Sequence, residues 1–226
     1  MDIYFSQDES EVEEVGDIDE DLPEGFPSKK DAACLSLVSF ITKFTKTNNT
    51  NVGPGIDGTP TKAGIRKFLK LIWVQDLKDG VTVRVGFDFG SSFGGLMSYL
   101  CLLLKYFMVG VEWENQRYAY AKLYQQKLLG ESKKPGQHVR EVFKDLSYNM
   151  SFMRQNANSN EYFDWLDSLG PELLTVTLVF WFSSGWNPED GQQYTGILLR
   201  LTNLRHLVTD WTSAELTDFG LGTYHT

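Results

Sequence analysis

The stretch that decides the fold is Val83–Glu112, which reads V-R-V-G-F-D-F-G-S-S-F-G-G, then an apolar run, then F-M-V-G-V-E. Its pattern predicts a strand, a glycine turn, a helix over Gly95–Tyr106 and a second strand that ends in a carboxylate. The carboxyl ends of neighbouring parallel strands meet at one edge of a sheet. We therefore expect Asp88, Gly90 and Glu112 to lie close together.

These residue types suit a nucleoside cofactor. A glycine at Gly90 or Gly94 lets a ligand approach the main chain, and a helix start beyond Gly94 offers unpaired N–H groups. Glu112 follows Gly94 by eighteen residues, close to the spacing at which dinucleotide folds place the acid that binds the ribose hydroxyls. An ordinary strand-to-helix turn of an α/β domain is the alternative interpretation.

The segment D-F-G-S-S-F-G resembles motif I of the class I S-adenosylmethionine-dependent methyltransferases, usually written D/E-x-G-x-G-x-G. Asp88, Gly90 and Gly94 match this motif, and Ser92 stands where the middle glycine is usual. The resemblance extends over roughly residues 55–212. It implies an α/β fold with a Rossmann-like, doubly wound, mostly parallel sheet and S-adenosyl-L-methionine as cofactor. The family's closing C-terminal hairpin would be incomplete, because fifteen residues follow Trp211.

The resemblance assigns further cofactor roles. Trp113 would pack on the adenine, with a core or surface aromatic as the alternative. We predict the third strand at His138–Phe143. The family's acid after that strand bonds the adenine amino group, and it falls on Asp145, beside Leu146. A helix cap or turn aspartate is the alternative for Asp145.

A catalytic segment is expected after the strand predicted by L-L-T-V-T-L-V-F-W-F, whose continuity suggests burial on both faces. Ligands bind beyond the carboxyl ends of such strands. Base-amine methyltransferases carry D/N/S-P-P-Y/F/W there, and this chain has Ser183-Ser184-Gly185-Trp186-Asn187-Pro188, without the paired prolines. Motif I and the G-V-E that ends at Glu112 are also similar to the non-SET histone-lysine methyltransferases.

The resemblance implies a slot for the methyl acceptor within that segment. Trp186 would wall the slot, and Ser183, Ser184 and Asn187 would offer hydrogen bonds to an amine. A turn with a capping asparagine is the alternative interpretation of W-N-P-E.

The charge of the chain is asymmetric. The net charge is −9, but residues 1–25 contain eleven acids and no lysine or arginine, leaving 19 acids against 21 bases in the remainder. We predict an acidic disordered tail over residues 1–27, an N-terminal helix and glycine-rich loop over 28–58, and a methyltransferase-like catalytic domain over 59–226. The tail is a solubilising segment, or it attracts a basic partner such as a histone or folds back over a basic groove.

The slightly basic body has little of the positive footprint of nucleic-acid binders. A protein substrate, such as a histone, is therefore favoured over DNA or RNA, and a methyltransferase-like binding subunit without turnover is the alternative. Cys34 and Cys101 lie in apolar helical patterns without disulfide or zinc spacing, so no metal site is expected. No segment resembles a signal peptide or membrane span, which predicts a nuclear or cytoplasmic protein. The oligomeric state does not follow from the sequence.

Overall fold

A computed structural model of the chain contains a five-stranded parallel β-sheet. It describes residues 26, 32–48, 62–133, 140–155, 160–170, 175–182, 195–218 and 220–221. The strands are β1 (Val85–Phe89), β2 (Phe107–Glu112), β3 (Met150–Arg154), β4 (Val176–Trp181) and β5 (His206–Thr209).

The spatial order of the strands is β3-β2-β1-β4-β5. The chain runs outward from β1 to β3 and then crosses to the other side of β1 to form β4. The order therefore reverses between β1 and β4, which is where doubly wound sheets bind ligands. The predicted α/β fold with a Rossmann-like, doubly wound parallel sheet is confirmed.

Helices cover both faces of the sheet. They are α1 (Ala32–Asn48), α2 (Lys62–Asp79), α3 (Gly95–Tyr99), α4 (Asn115–Ser132), α5 (Arg140–Asn149), α6 (Asn160–Leu169), α7 (residues 195–200) and α8 (Ser213–Asp218). One apolar core joins α1–α5 to the sheet, and a second core joins α6–α8 to its other face. None of the described helices is long and apolar enough to cross a membrane.

The central strand β4 confirms the prediction from its continuous apolar sequence, since all six of its residues are buried. In β1, Phe87 and Phe89 point into the second core. Successive residues of a strand face opposite sides, so Gly86 and Asp88 face the first core. This alternation decides on which side of the sheet the predicted carboxylate lies.

The helix predicted over Gly95–Tyr106 is divided. After α3, residues Leu100–Leu104 form a π-helical turn whose five side chains are all buried. The turn ends at Lys105, which has a left-handed φ of 59°. The left-handed residue ends the helical turn, and its amide donates to the Leu100 carbonyl; β2 begins at Phe107.

The third strand predicted at His138–Phe143 is wrong. Residues from Arg140 onward form α5, and the strand is β3, which begins directly after that helix. Helical periodicity explains the difference, because Phe143 and Leu146 are buried whereas Arg140, Glu141, Lys144 and Asp145 are exposed. The alternation lies instead in M-S-F-M-R, where Met150 and Phe152 are buried.

A buried carboxylate ties α2 to the amino edge of the sheet. The Asp76 side chain is fully buried, with Arg84 Nε 3.1 Å from its Oδ2 and His206 Nε2 2.8 Å from its Oδ1. The Tyr106 hydroxyl donates to Asp76 Oδ2 at 3.1 Å. Burial and the charge of Asp76 raise the pKa of this hydroxyl. The cluster therefore joins α2 to the chain just before β1, just before β2 and at the start of β5.

Candidate functional site

Two acidic side chains lie at the carboxyl edge of the sheet, on neighbouring strands. Asp88 in β1 pairs in register with Gly110 in β2, and Glu112 lies two residues further along β2. Residues two apart share a face and are about 7 Å apart along the strand. Asp88 and Glu112 are thus on the same face, and both are buried, with 6% and 1% of their surfaces exposed.

The Glu112 carboxylate is held by main-chain donors. The Ser92 amide donates to Oε2 at 3.0 Å, and the Glu114 amide donates to Oε1 at 3.0 Å. An ionised carboxylate has about four acceptor positions. These two hydrogen bonds therefore fix the orientation of the Glu112 carboxylate. They leave acceptor positions on its oxygens for the hydroxyl groups of a ligand.

The glycine loop folds back over the end of β2. The amides of Gly90 and Ser91 both donate to the Val111 carbonyl, at 2.9 and 3.2 Å, and the Gly94 amide donates to the Ser91 carbonyl at 2.9 Å. Gly90 has a φ of 78° and is exposed. It presents bare main chain at the carboxyl edge, as its position in the motif predicts.

Ser92 occupies a backbone conformation that explains why a glycine is usual in the motif. Its φ is 49°, in the left-handed region, where a residue with a Cβ is less stable by about 1 kcal/mol. In this conformation its amide points at Glu112. The substitution therefore keeps the hydrogen bond at the cost of some backbone strain.

Sequence reasoning missed the packing between Ser91 and Gly110. A Cβ added at Gly110 would lie 2.5 Å from Ser91 Oγ and 2.8 Å from Met97 Sδ. Ser91 Oγ is buried and has no hydrogen-bond partner among the described residues. A glycine inside a strand is a signal of such close approach, so Gly110 could have indicated the contact.

Burial dominates the electrostatics of the acid pair. Burial raises the pKa of Asp88 to about 7, and the charge of Glu112 adds to this effect. Burial also raises the pKa of Glu112, although the amides of Glu114 and Ser92 and the charge of Arg117 act in the opposite direction. A raised pKa at both groups is typical of a functional edge, although structural networks also produce it.

The structure does not bring every predicted cofactor residue to this edge. Trp113 does lie beside Glu112, with 49% of its surface exposed. Asp145 is exposed on α5, one turn before β3 begins, and Leu146 is buried in the core. The premise that Asp145 follows the third strand is wrong. The residue in that place is Gln155, whose amide donates to the Glu112 carbonyl at 3.2 Å.

The predicted catalytic residues Ser183, Ser184, Trp186 and Asn187 lie outside the described residues. The preceding strand β4 ends at Trp181, and the following Phe182 is half-buried with its ring 6.5 Å from that of Phe180. The described residues thus end at Phe182, at the carboxyl end of β4, directly before the predicted catalytic segment.

Comparison with solved structures finds methyltransferases. The METTL16 methyltransferase domain has a TM-score of 0.48 and 15% identity, covering 86% of this chain and 71% of that chain. The N-terminal domain of human METTL16 in complex with SAH has a TM-score of 0.45 and 15% identity, covering 84% and 75%. The glycopeptide N-methyltransferase MtfA has a TM-score of 0.38 and 11% identity, covering 60% of this chain and 50% of its own. This chain thus spans half the length of MtfA.

No family of known sequences and no curated protein matches this chain. The identities to these solved structures are 11–15% and the TM-scores are below 0.5, so no property of theirs is carried over to this chain. The resemblance to class I methyltransferases implied a doubly wound parallel sheet, and the observed strand order and register give this sheet. Fold and site together define a Rossmann-like α/β protein with a buried acid pair at its switch edge.

Proposed function

We propose that this chain is an S-adenosyl-L-methionine-dependent methyltransferase. One observation supports the proposal most: Asp88 and Glu112 lie on one face of two adjacent parallel strands, with the glycine loop bonded to Glu112 through the Ser92 amide. This is the arrangement in which Rossmann-like folds hold a nucleoside.

The residues at this edge fit the adenosine end of the cofactor. Glu112 has unused acceptor positions for two ribose hydroxyls, and exposed Gly90 allows close approach to the main chain. Trp113 offers a half-exposed ring for the adenine. Because Glu112 is 1% exposed, binding requires the loop edge to move away from this carboxylate.

S-adenosyl-L-methionine would supply a methyl group on a sulfonium sulfur: a neutral amine nitrogen would bond to the methyl carbon as the carbon–sulfur bond breaks, giving a methylammonium and S-adenosylhomocysteine. The task of this chain is then to position the two groups and to exclude water. We propose that Trp186 walls the acceptor slot and that Ser183, Ser184 and Asn187 accept or donate hydrogen bonds at the amine. An apolar slot favours the neutral amine, which is the nucleophilic form.

For the methyl acceptor we propose an amine of a protein, such as a histone lysine. The 19 acids and 21 bases outside residues 1–25 give little positive field for a nucleic-acid backbone. Methylation of a nucleic-acid base is the competing outcome.

Calorimetric titration with S-adenosylmethionine and S-adenosylhomocysteine tests the cofactor site. We expect both to bind, and Glu112→Gln to weaken binding by about tenfold or more because charge-assisted hydrogen bonds to the ribose are lost. Glu141→Gln, on exposed α5, is the matched control and should bind normally. Urea unfolding of each variant separates a loss of binding from a loss of folding. Absence of binding by the intact wild-type chain would refute the proposal.

Methyl transfer is tested by incubating the chain with labelled S-adenosylmethionine and a panel of histones, RNA and DNA. Label in a histone supports the protein acceptor, and label in RNA or DNA assigns the competing substrate. Cofactor binding without transfer to any acceptor would favour the binding subunit. Trp186→Ala should reduce turnover far more than cofactor affinity, whereas equal loss of both would indicate a folding role.

A further inference from the structure

The solvent side of α2 is both basic and apolar. Leu71, Val74 and Leu77 are 51%, 45% and 55% exposed, and they follow one another at three-residue intervals on one side of the helix. Lys67, Lys70 and Lys78 lie on the same side, opposite the buried stripe of Ile65, Phe68, Leu69 and Ile72. We call these six residues, Lys67, Lys70, Leu71, Val74, Leu77 and Lys78, the outer face of α2.

Neither of the two acids within α2 (Lys62–Asp79) pairs with the lysines of the outer face. Of the two acids in α2, Asp76 is fully buried and pairs with Arg84. The other, Asp79, is the last residue of the helix and accepts a hydrogen bond from Gln75 at 2.8 Å. An occupant that matches this surface must therefore be acidic and carry aliphatic side chains.

The N-terminal segment begins beside this surface. Phe26 is buried against α2. Its ring is edge-on to that of Trp73, with the two centroids 6.0 Å apart, and the Arg66 guanidinium carbon lies 5.6 Å from the Phe26 ring centroid. Arg66 and Trp73 are seven residues apart, so they share one side of the helix, next to the outer face. The 25 residues before Phe26 are thus tethered at α2.

Residues 8–24 have the matching chemistry. They contain ten acids and no base, together with Val12, Val15, Ile18 and Leu22 at intervals of three or four residues. This spacing can place the four aliphatic side chains on one side of a segment. Such a segment lacks the apolar content to fold by itself, and docking on a complementary surface supplies the missing burial.

We propose that residues 8–24 dock on the outer face of α2 in the same chain, with their acids against the three lysines and their aliphatic side chains against Leu71, Val74 and Leu77. The tether at Phe26 gives the segment an effective concentration in the millimolar range, so weak contacts suffice. Docking would bury the aliphatic side chains of the outer face and neutralise part of the charge of its lysines. It would thereby weaken the binding of an external polyanion to this face. It does not require the chain to bind a cofactor.

Carbodiimide crosslinking of the full chain, followed by mass spectrometry, tests the docking directly because the reagent joins a carboxylate to a lysine in contact with it. We expect crosslinks from residues 8–24 to concentrate on Lys67, Lys70 and Lys78 and to decline in 1 M sodium chloride, a salt level at which the Debye length is about 3 Å. Crosslinks spread evenly over the other exposed lysines, such as Lys43, Lys46 and Lys133, would overturn the proposal.

A variant that keeps every reactive group sharpens the test. In Leu71→Ser/Val74→Ser/Leu77→Ser the lysines and tail acids remain, and we expect the yield of these crosslinks to fall by about threefold or more because the aliphatic contacts are lost. Leu35→Ser/Leu199→Ser removes exposed aliphatic side chains elsewhere and should leave the yield unchanged. An unchanged yield in the triple variant would contradict docking on this face.

An equal mixture of unlabelled and nitrogen-15-labelled chains distinguishes the occupant. Docking within one chain gives crosslinked peptide pairs of a single isotope composition. Pairs of mixed composition would show that the segment belongs to a second copy, and would overturn the intramolecular proposal.

Discussion

The Ser92 amide and the Glu112 carboxylate are joined by a 3.0 Å hydrogen bond, which connects the glycine loop to the end of β2 across twenty residues of sequence. Ser92 reaches this position with a left-handed φ of 49°. The positions of the loop and the carboxylate are coupled, because a movement of the loop would remove a main-chain donor from the buried acid. A substitution at Ser92 or at Glu112 should therefore affect the position of the other residue.

Ser92→Gly should not destabilise the protein and should raise the free energy of unfolding by up to about 1 kcal/mol. Glycine adopts the left-handed conformation without strain, and its larger unfolded-state entropy offsets part of this gain. Urea unfolding measures the change. Ser91→Gly is the neighbouring control: Ser91 is not among the residues with a positive φ, so glycine relieves no strain there and its larger unfolded-state entropy should lower the stability. A loss of stability in Ser92→Gly as large as in Ser91→Gly would contradict the assignment of strain.

The sequence was sufficient for the parts of the fold that depend on local pattern. The glycine loop, the acid at the end of β2 and the buried strand β4 all combine strong periodicity with turn residues, and they lie as predicted. The third strand was wrong because Val142 and Phe143 are β-branched and aromatic residues, which are common in strands, whereas the structure packs them in a helix, with α5 against α4. The Asp76 cluster was beyond prediction, since its members come together only through the strand order.

Gly110→Ala should destabilise the protein by about 2 kcal/mol, because the added methyl group meets Ser91 Oγ and Met97 Sδ inside a packed core. Gly130→Ala is the matched control: nothing lies within 4 Å of the added Cβ in α4, so it should stabilise the helix by about 0.5–1 kcal/mol. Combining Gly110→Ala with Ser91→Gly should recover part of the loss. Strict additivity of the two changes would contradict direct contact.

The free energy of unfolding should fall as the pH rises from about 4 to about 7. Asp88 has a pKa of about 7 in the folded chain against an ordinary value of 3.8. The carboxyl therefore keeps its proton to a higher pH in the folded chain than in the unfolded chain. Its contribution to stability is complete below the unfolded pKa of 3.8 and is lost as the pH rises through the folded pKa of about 7. Burial raises the pKa of Glu112 as well, which adds a change of the same sign.

Asp88→Asn tests this origin of the pH dependence, because the amide is similar in shape to the protonated acid and does not titrate. Its stability curve, measured by urea unfolding at a series of pH values, should be flatter than that of the wild type. Asp145→Asn removes an exposed carboxyl on α5 and should follow the wild-type curve. Parallel curves for the wild type and Asp88→Asn would exclude Asp88 as the source.

Asp76→Asn should cost about 3 kcal/mol of stability. The substitution leaves Arg84 without its counter-charge and changes the hydrogen-bond partner of His206 and Tyr106, and removal of one partner of a buried ion pair is more damaging than loss of an exposed one. Asp79→Asn, three residues further along α2 and exposed, should change stability by less than about 0.5 kcal/mol. Equal effects of the two substitutions in thermal or urea unfolding would show that the cluster contributes little.

Trp113→Ala should weaken the binding of S-adenosylhomocysteine by about tenfold, within the 1–3 kcal/mol per base that aromatic stacking contributes in other nucleotide sites. Its ring follows Glu112 directly and is half exposed, so the substitution removes contact area at the proposed adenine position without opening the core. Asp145→Ala should leave the affinity unchanged, because α5 carries this side chain before β3 rather than beyond its carboxyl end. Calorimetry on both variants compares these two positions, and a larger loss in Asp145→Ala would place the adenine near α5 instead.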